Sequence, residues 1–119
     1  MRFARLLALI CAGLVPHAFA QQQAPAAKPD LEKARATASQ ICAACHGPDG
    51  NSPTPVNPSI AGMPAEYIST QLAHFKAGIR ANPIMQGMAA PLTPQDMQAL
   101  GIYFSQQKAK GLAAKRSTR

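Results

Sequence analysis

The chain has 119 residues, a length that suggests a single domain. Its 12 Lys and Arg residues outnumber its five Asp and Glu residues, and the net charge is +7. Five of the cations lie between residues 108 and 119, where no acid offsets them, whereas residues 21–107 carry five cations and five acids. This distribution excludes a basic domain, and we predict no nucleic-acid partner.

The first 20 residues are typical of a secretory signal peptide. Arg2 and Arg5 form a positive start, residues 6–15 form an apolar run, and Ala-Phe-Ala precedes Gln21. The run is short for a membrane-spanning helix, so an uncleaved membrane anchor is the weaker alternative. We therefore predict cleavage after residue 20 and a periplasmic location.

A first helix is predicted after a flexible linker rich in Gln, Ala and Pro over residues 21–29. Asp30 is the predicted N-cap, and apolar residues follow it at helical spacing. These residues are Leu31, Ala34, Ala38 and Ile41. The predicted helix therefore leads directly into Cys42.

Residues 42–46 read Cys-Ala-Ala-Cys-His, which matches the C-x-x-C-H pattern of covalent haem c attachment. In that chemistry two thiols add to the two vinyl groups of one haem, and the adjacent imidazole ligates the iron. Cys42 and Cys45 are therefore predicted to carry one covalent haem c. His46 is predicted to be an axial ligand of its iron.

A bare disulfide and a zinc site are the alternatives for these cysteines. Cys11 lies in the predicted signal peptide, so the mature chain would hold no third cysteine. A redox-active disulfide of the thioredoxin kind accompanies a βαβ pattern, and no run resembles a strand. Zinc needs about four ligands, and His74 is the only other histidine of the predicted mature chain. Haem is therefore the prediction.

A second helix is predicted after turn-forming residues at positions 47–58, where no regular element fits. Pro64 is predicted in its first turn, and Gly78 is predicted to mark its end. Its inward stripe is predicted to contain Ile68, Leu72, Phe75 and Ile79. Residues 81–92 are predicted to form a second loop.

A third helix is predicted from Thr93 to about Lys110. Thr93 suits the N-cap, Pro94 the first helical position, and Asp96 the position that completes a capping box. Its apolar stripe is predicted to contain Met97, Leu100 and Phe104.

Gly101 lies inside that helix, where glycine costs about 1 kcal/mol relative to alanine. A close crossing with the small residues Ala34 and Ala38 would explain it.

Three helices without strands predict an all-α fold. We predict one haem domain over residues 30–110 and a basic tail over residues 111–119.

The second axial ligand decides whether the iron transfers electrons or binds small molecules. The candidates are Met63, Met85, Met88, Met97 and His74. Met97 belongs to the apolar stripe of the third helix, and His74 lies off the apolar face of the second. Met85 and Met88 lie in the loop that can reach the opposite haem face, and spacing alone does not choose between them.

The chain resembles the small bacterial class I c-type cytochromes, and one half of the two-haem periplasmic cytochromes in particular. The similar stretches are CAACHGPDGNS, VNPSIAG, QLAHFKAGIRANPIM and APLTPQDMQALGIYFSQQK. The resemblance implies the cytochrome c fold and a methionine ligand eight positions before Thr93, which is Met85. It also implies that the Pro58 carbonyl accepts a hydrogen bond from His46. Gly101 departs from the alanine common at its position.

These observations predict a periplasmic one-electron carrier with His46 and Met85 as axial ligands, and not an enzyme. Its predicted partners are redox donors and acceptors, and it is expected to be a monomer. The alternatives are a dedicated cytochrome subunit of a periplasmic dehydrogenase complex and a haem enzyme or gas sensor with an open iron site. The basic tail is a candidate for weak contact with an acidic partner or a membrane surface.

Overall fold

The computed structural model describes residues 28–110, which include the whole predicted haem domain. The predicted signal peptide, the predicted linker up to residue 27 and the predicted tail over residues 111–119 lie outside the described residues. Residues 28–110 form helices, turns and loops without a strand, so the all-α prediction is confirmed. In this part of the chain no helix combines the length and apolar character needed to cross a bilayer.

A continuous helical stretch leads into the Cys-Ala-Ala-Cys-His motif. It consists of α1 (Leu31–Thr37), a π-helical turn (Ala38–Cys42) and α2 (Ala43–His46). The side chain of Asp30 accepts a hydrogen bond from the Lys33 backbone N–H at 2.9 Å, which confirms the predicted N-cap. The π-helical turn widens the helix immediately before the motif, a feature often found at functional sites.

Three further helices complete the fold: α3 (Ala65–Lys76), α4 (Pro83–Ala89) and α5 (Pro94–Ser105). Pro64 immediately precedes α3, and Gly78 follows its end with a φ of +72°, a conformation that glycine adopts readily. The capping box of Thr93 and Asp96 is confirmed at the start of α5. However, α5 ends about five residues before the predicted limit at Lys110.

The prediction of a loop over residues 81–92 is wrong, because α4 lies within it. Asn82 has an extended backbone, and its side chain accepts a hydrogen bond from the Met85 N–H at 3.0 Å. Pro83 supplies the first helical residue. Ile79 was also predicted wrongly, since it lies beyond α3 and is 73% exposed.

The core forms where α1 and α3 pack against α5. The predicted stripe of Met97, Leu100 and Phe104 is buried, and Ile68 of α3 packs against it. Gly101 does permit a close approach, but its neighbour differs from the prediction. A Cβ at this position would collide with the backbone carbonyl oxygen of Ala65 in α3.

An ion pair joins the starts of α1 and α5. The Lys33 Nζ lies 2.6 Å from a carboxylate oxygen of Asp96. The other carboxylate oxygen accepts from the backbone N–H of Thr93 at 3.0 Å. The Lys33 side chain, followed by the Thr93 N–H, lowers the pKa of Asp96 to about 2. One carboxylate therefore caps α5 and ties it to α1.

Candidate cofactor-binding cleft

A cleft opens between α3, α4 and the loop that follows the Cys-Ala-Ala-Cys-His motif. It encloses about 280 Å³ and has mainly apolar walls. The wall residues whose side chains can form bonds to a cofactor or hydrogen bonds are Cys45, His46, Tyr67, Arg80, Asn82 and Met85. The fold therefore brings one predicted thiol, the predicted imidazole and the favoured methionine to a single cavity.

His46 ends α2 and is buried at the wall of this cleft. Its Nδ1 lies 2.7 Å from the carbonyl oxygen of Pro58. A carbonyl oxygen can only accept, so Nδ1 carries the proton and donates it, and Nε2 keeps a free lone pair. The hydrogen bond fixes the orientation of the ring and leaves Nε2 as the nitrogen that can ligate iron. The acceptor is the carbonyl implied by the family resemblance.

Residues 47–62, here called the proximal loop, fold tightly beside His46. Gly50 has a φ of +76°, and its carbonyl oxygen accepts from the N–H groups of Ile60 at 2.7 Å and Ala61 at 3.0 Å. A Cβ on Gly50 would lie 2.8 Å from the Phe104 ring. Only glycine satisfies both the backbone conformation and the close packing at this position.

Residues 107–110, here called the C-terminal strap, return to the proximal loop. The Asn51 side chain donates to the Lys108 carbonyl at 3.0 Å and accepts from the Lys110 N–H at 2.8 Å. The Lys110 ammonium lies 2.6 Å from the Asp49 carboxylate. That side chain, followed by the Asn51 N–H, lowers the pKa of Asp49 to about 2. The last described residues therefore hold the loop that orients His46.

The two motif cysteines have different environments. Cys45 is exposed and lies at the cleft wall, whereas Cys42 is half-buried against the helical core. Burial raises the pKa of the Cys42 thiol in the protein without haem. Both thiols are free, so the fold contains no disulfide between them. Within residues 28–110, no three or more His, Cys, Asp or Glu side chains are grouped to hold a metal ion.

The five candidates for the second axial ligand lie in different environments. Met85 lies in α4 and lines the cleft, and Met63 lines it from the proximal loop side. Met88 is 45% exposed and is absent from the cleft wall. Met97 is buried in the core, as predicted. His74 is half-buried on α3 and does not line the cleft. Among the two methionines that spacing left open, the geometry favours Met85.

Several polar cleft residues were not predicted from the sequence, among them Arg80 and Asn82. Arg80 lies over the Phe75 ring with its guanidinium carbon 4.7 Å from the ring centroid, and it donates to the Gln71 side chain. Asn82 caps α4 from within the cleft wall. The Asn82-Pro83 pair carried a local signal, because asparagine suits the N-cap and proline the next position. No local sequence pattern predicted that Arg80 lines the cleft, because its position depends on how α3 ends.

The residues of the cleft fit a haem. Apolar side chains around it are largely uncovered: Val56 is 87%, Ile84 68% and Tyr67 49% exposed. A large apolar group would cover such a surface. The available donors are thiol, imidazole and thioether, which are the groups that attach and ligate haem in c-type cytochromes. Arg80 adds one cation that can face the carboxylates of a haem.

The comparisons with known proteins agree with this geometry. A family model described as cytochrome c matches residues 31–108. Cytochrome c4 of Thiocapsa roseopersicina is 46% identical over 78 residues, which cover 66% of this chain and 40% of that protein. The cytochrome subunit of sulfide dehydrogenase from Chlorobaculum tepidum is 42% identical over 80 residues, which cover 67% of this chain and 72% of that subunit.

A solved structure supports the same relationship. Reduced recombinant cytochrome c4 from Pseudomonas stutzeri superposes with a TM-score of 0.62 and 39% identity, over 67% of this chain and 46% of that one. The predicted cytochrome c fold is thereby confirmed. This chain spans less than half the length of the two cytochrome c4 proteins, in agreement with its predicted resemblance to one part of a larger protein.

Proposed function

Because the chain belongs to the cytochrome c family, we propose that it is a periplasmic one-electron carrier with a single covalent haem c. The observation that carries this proposal is the shared cleft of Cys45, His46 and Met85. Haem c supplies an iron that alternates between the ferrous and ferric states. The protein supplies attachment, two axial ligands and an apolar enclosure.

Cys42 and Cys45 hold the cofactor. Each thiol would add across one vinyl group of the haem, with the sulfur bonding to one vinyl carbon and the thiol hydrogen going to the other. Cys45 is exposed at the cleft wall and Cys42 is half-buried against the core, and the two thiols would each form one thioether bond to the same haem.

His46 and Met85 provide the axial ligands. The hydrogen bond from Nδ1 to Pro58 supports ligation through Nε2, because it fixes the tautomer and the ring plane. The half-buried Met85 at the cleft wall supports a thioether ligand from α4. A methionine ligand raises the reduction potential relative to a nitrogen ligand because it favours reduced iron. Two retained ligands also leave little to rearrange when an electron arrives.

Electron transfer without catalysis follows from a closed iron site. A haem enzyme or gas sensor needs an open or easily displaced sixth position, and Met85 would fill that position. The test is carbon monoxide binding to the reduced protein at neutral pH. We expect none, and stoichiometric binding would favour the sensor or enzyme instead.

The test of the axial pair is the absorption spectrum of protein expressed in the periplasm. We expect the oxidised protein to display the methionine-to-iron charge-transfer band near the red end, and Met85→Ala to abolish it. Met88→Ala is the matched control, since Met88 lies one turn further along and outside the cleft wall. A band that survives in Met85→Ala and disappears in Met88→Ala would reverse the assignment.

A dedicated cytochrome subunit of a dehydrogenase complex is the second candidate function. It is favoured by the Chlorobaculum tepidum relative, a cytochrome subunit of sulfide dehydrogenase of which this chain covers 72%. The two functions differ in solution behaviour. Stable co-purification with a flavin or molybdenum subunit at native expression would favour the subunit, and isolation alone would favour the free carrier.

The organisation of the whole chain is part of the proposal. Residues 1–20 form a cleaved signal peptide, residues 21–29 a linker, residues 30–110 the haem domain and residues 111–119 a basic tail. N-terminal sequencing of the periplasmic protein should begin at Gln21, and sedimentation should give a monomer.

Redox donors and acceptors are the partners, and the tail aids weak docking on an acidic surface. Truncation after Lys110 should slow reduction by the native partner at low salt, and an unchanged rate would remove the tail from docking.

A further inference from the structure

The short helix α4 depends on its first turn. It has only seven residues, and isolated helices of that length are marginal in water. Gly87 in its interior makes it less stable than alanine would. The helix must therefore be stabilised by its cap and by packing against α3.

Asn82 caps α4 through two acceptors, one in its side chain and one in its backbone. Its side-chain oxygen accepts from the Met85 N–H at 3.0 Å, and its backbone carbonyl accepts from the Gln86 N–H at 2.9 Å. Its own φ of −164° and ψ of 106° lie in the extended region, as an N-cap requires. Asn82 also lines the cleft, so the cap is formed beside the cofactor site itself.

The residue bound by the Asn82 side chain is Met85, the proposed axial ligand. The bond to its backbone N–H holds the first turn of α4, from which the Met85 side chain extends. Met88 lies three residues further along, is 45% exposed and does not line the cleft, so the methionine that this cap holds is the one at the cleft wall. The helix cap and the proposed ligand are thus joined by a direct hydrogen bond.

We propose that Asn82 is a positioning residue that holds the Met85 thioether in place for the iron. This inference rests on the proposed function, because it requires Met85 as a ligand. Without the side-chain acceptor at residue 82, the first turn of α4 opens more often and the Met85 sulfur leaves more often. Haem attachment is unaffected, since Cys42 and Cys45 belong to the helical stretch that ends at His46 and not to α4.

The test measures imidazole binding to the oxidised haem protein, together with the charge-transfer band and the reduction potential. In Asn82→Ala we expect imidazole to bind about fivefold more tightly, as loss of an average N-cap implies. The band should weaken and the potential should fall, because thioether ligation favours reduced iron. Asn82→Ser keeps a capping oxygen and should return imidazole affinity to within about twofold of the original protein.

The matched control is Asp30→Ala, which removes the N-cap of α1 from a position outside the cleft. It should lower the melting temperature but leave imidazole affinity, band and potential unchanged. If Asn82→Ala behaves in the same way, the positioning role is wrong and Asn82 is a structural cap only. If Met85→Ala retains the band, the axial assignment itself fails. Loss of the band in Met85→Ala with no effect of Asn82→Ala therefore overturns this inference alone.

Discussion

The two sides of the cleft are held by different amounts of structure. On the His46 side, the proximal loop is closed by hydrogen bonds to the Gly50 carbonyl and by the C-terminal strap. On the Met85 side, a seven-residue helix is fastened at its start by Asn82. Several independent contacts therefore hold the imidazole in position, whereas the thioether depends on one helix cap and on the packing of α4 against α3. We therefore expect ligand exchange at the methionine side.

The largest effect should come from damaging the rigid side. Gly50→Ala places a Cβ 2.8 Å from the Phe104 ring and 2.9 Å from the Ala61 nitrogen at a φ of +76°. Backbone strain and overpacking should together lower the free energy of unfolding by about 3 kcal/mol. Urea denaturation of the haem protein measures this loss. A loss below about 1 kcal/mol would mean that the proximal loop is less rigid than its contacts indicate.

A smaller effect should follow from removing the ion pair between Lys33 and Asp96, which joins α1 to the start of α5. Asp96→Asn removes the ion pair with Lys33 and weakens the cap of α5, at a cost of about 1–2 kcal/mol at pH 7. The folded pKa of Asp96 is about 2, below the ordinary value of about 4. Its contribution is therefore complete above about pH 5 and is lost progressively as the pH falls through about 2.

The measurement is urea denaturation of the original and Asp96→Asn proteins at pH 7 and at pH 2.5. The difference between the two proteins should shrink at the lower pH. Lys33→Met is the control, because it removes the same ion pair from the other side and should lose part of the same pH dependence. A difference that stays constant with pH would assign the effect to the neutral cap alone.

The smallest effect should come from strengthening the adjustable side. Nothing lies within 4 Å of a Cβ built on Gly87, so Gly87→Ala should stabilise the protein by about 0.5–1 kcal/mol. A firmer α4 should also weaken imidazole binding to oxidised iron. Gly101→Ala is the contrasting control, because its Cβ meets the Ala65 carbonyl and should destabilise the protein. Destabilisation by Gly87→Ala would contradict the open environment of that position.

Much of the fold was predictable because its signals are local. Asp30 and Thr93 announce the starts of α1 and α5 through side chains that bond to the next turn. The covalent motif is local as well, because the two thiols and the imidazole must serve one ring. The position of Met85 required the family resemblance, since the choice between Met85 and Met88 depends on which turn of α4 lies against the cleft.

The errors arose where distant parts of the chain meet. The helix α4 was missed because two prolines and a glycine mask a segment that becomes helical through its cap and its packing on α3. Gly101 was correctly expected to permit a close approach, but pattern alone could not identify Ala65 as the neighbour. Ile79 continued the spacing of α3 after Gly78 had already ended the helix.

The C-terminal strap closes the proximal loop through contacts between residues that are distant in sequence. Asn51 lies only five positions after His46, yet its partners Lys108 and Lys110 lie 57 and 59 residues further along the chain. Because a ribosome synthesises the chain from its N-terminus, the haem motif is complete long before the segment that locks the adjacent loop exists. Cys42 and Cys45 are therefore synthesised before the residues that make the closing contacts. A chain cut short before residue 108 would carry the whole attachment motif but lack this closure.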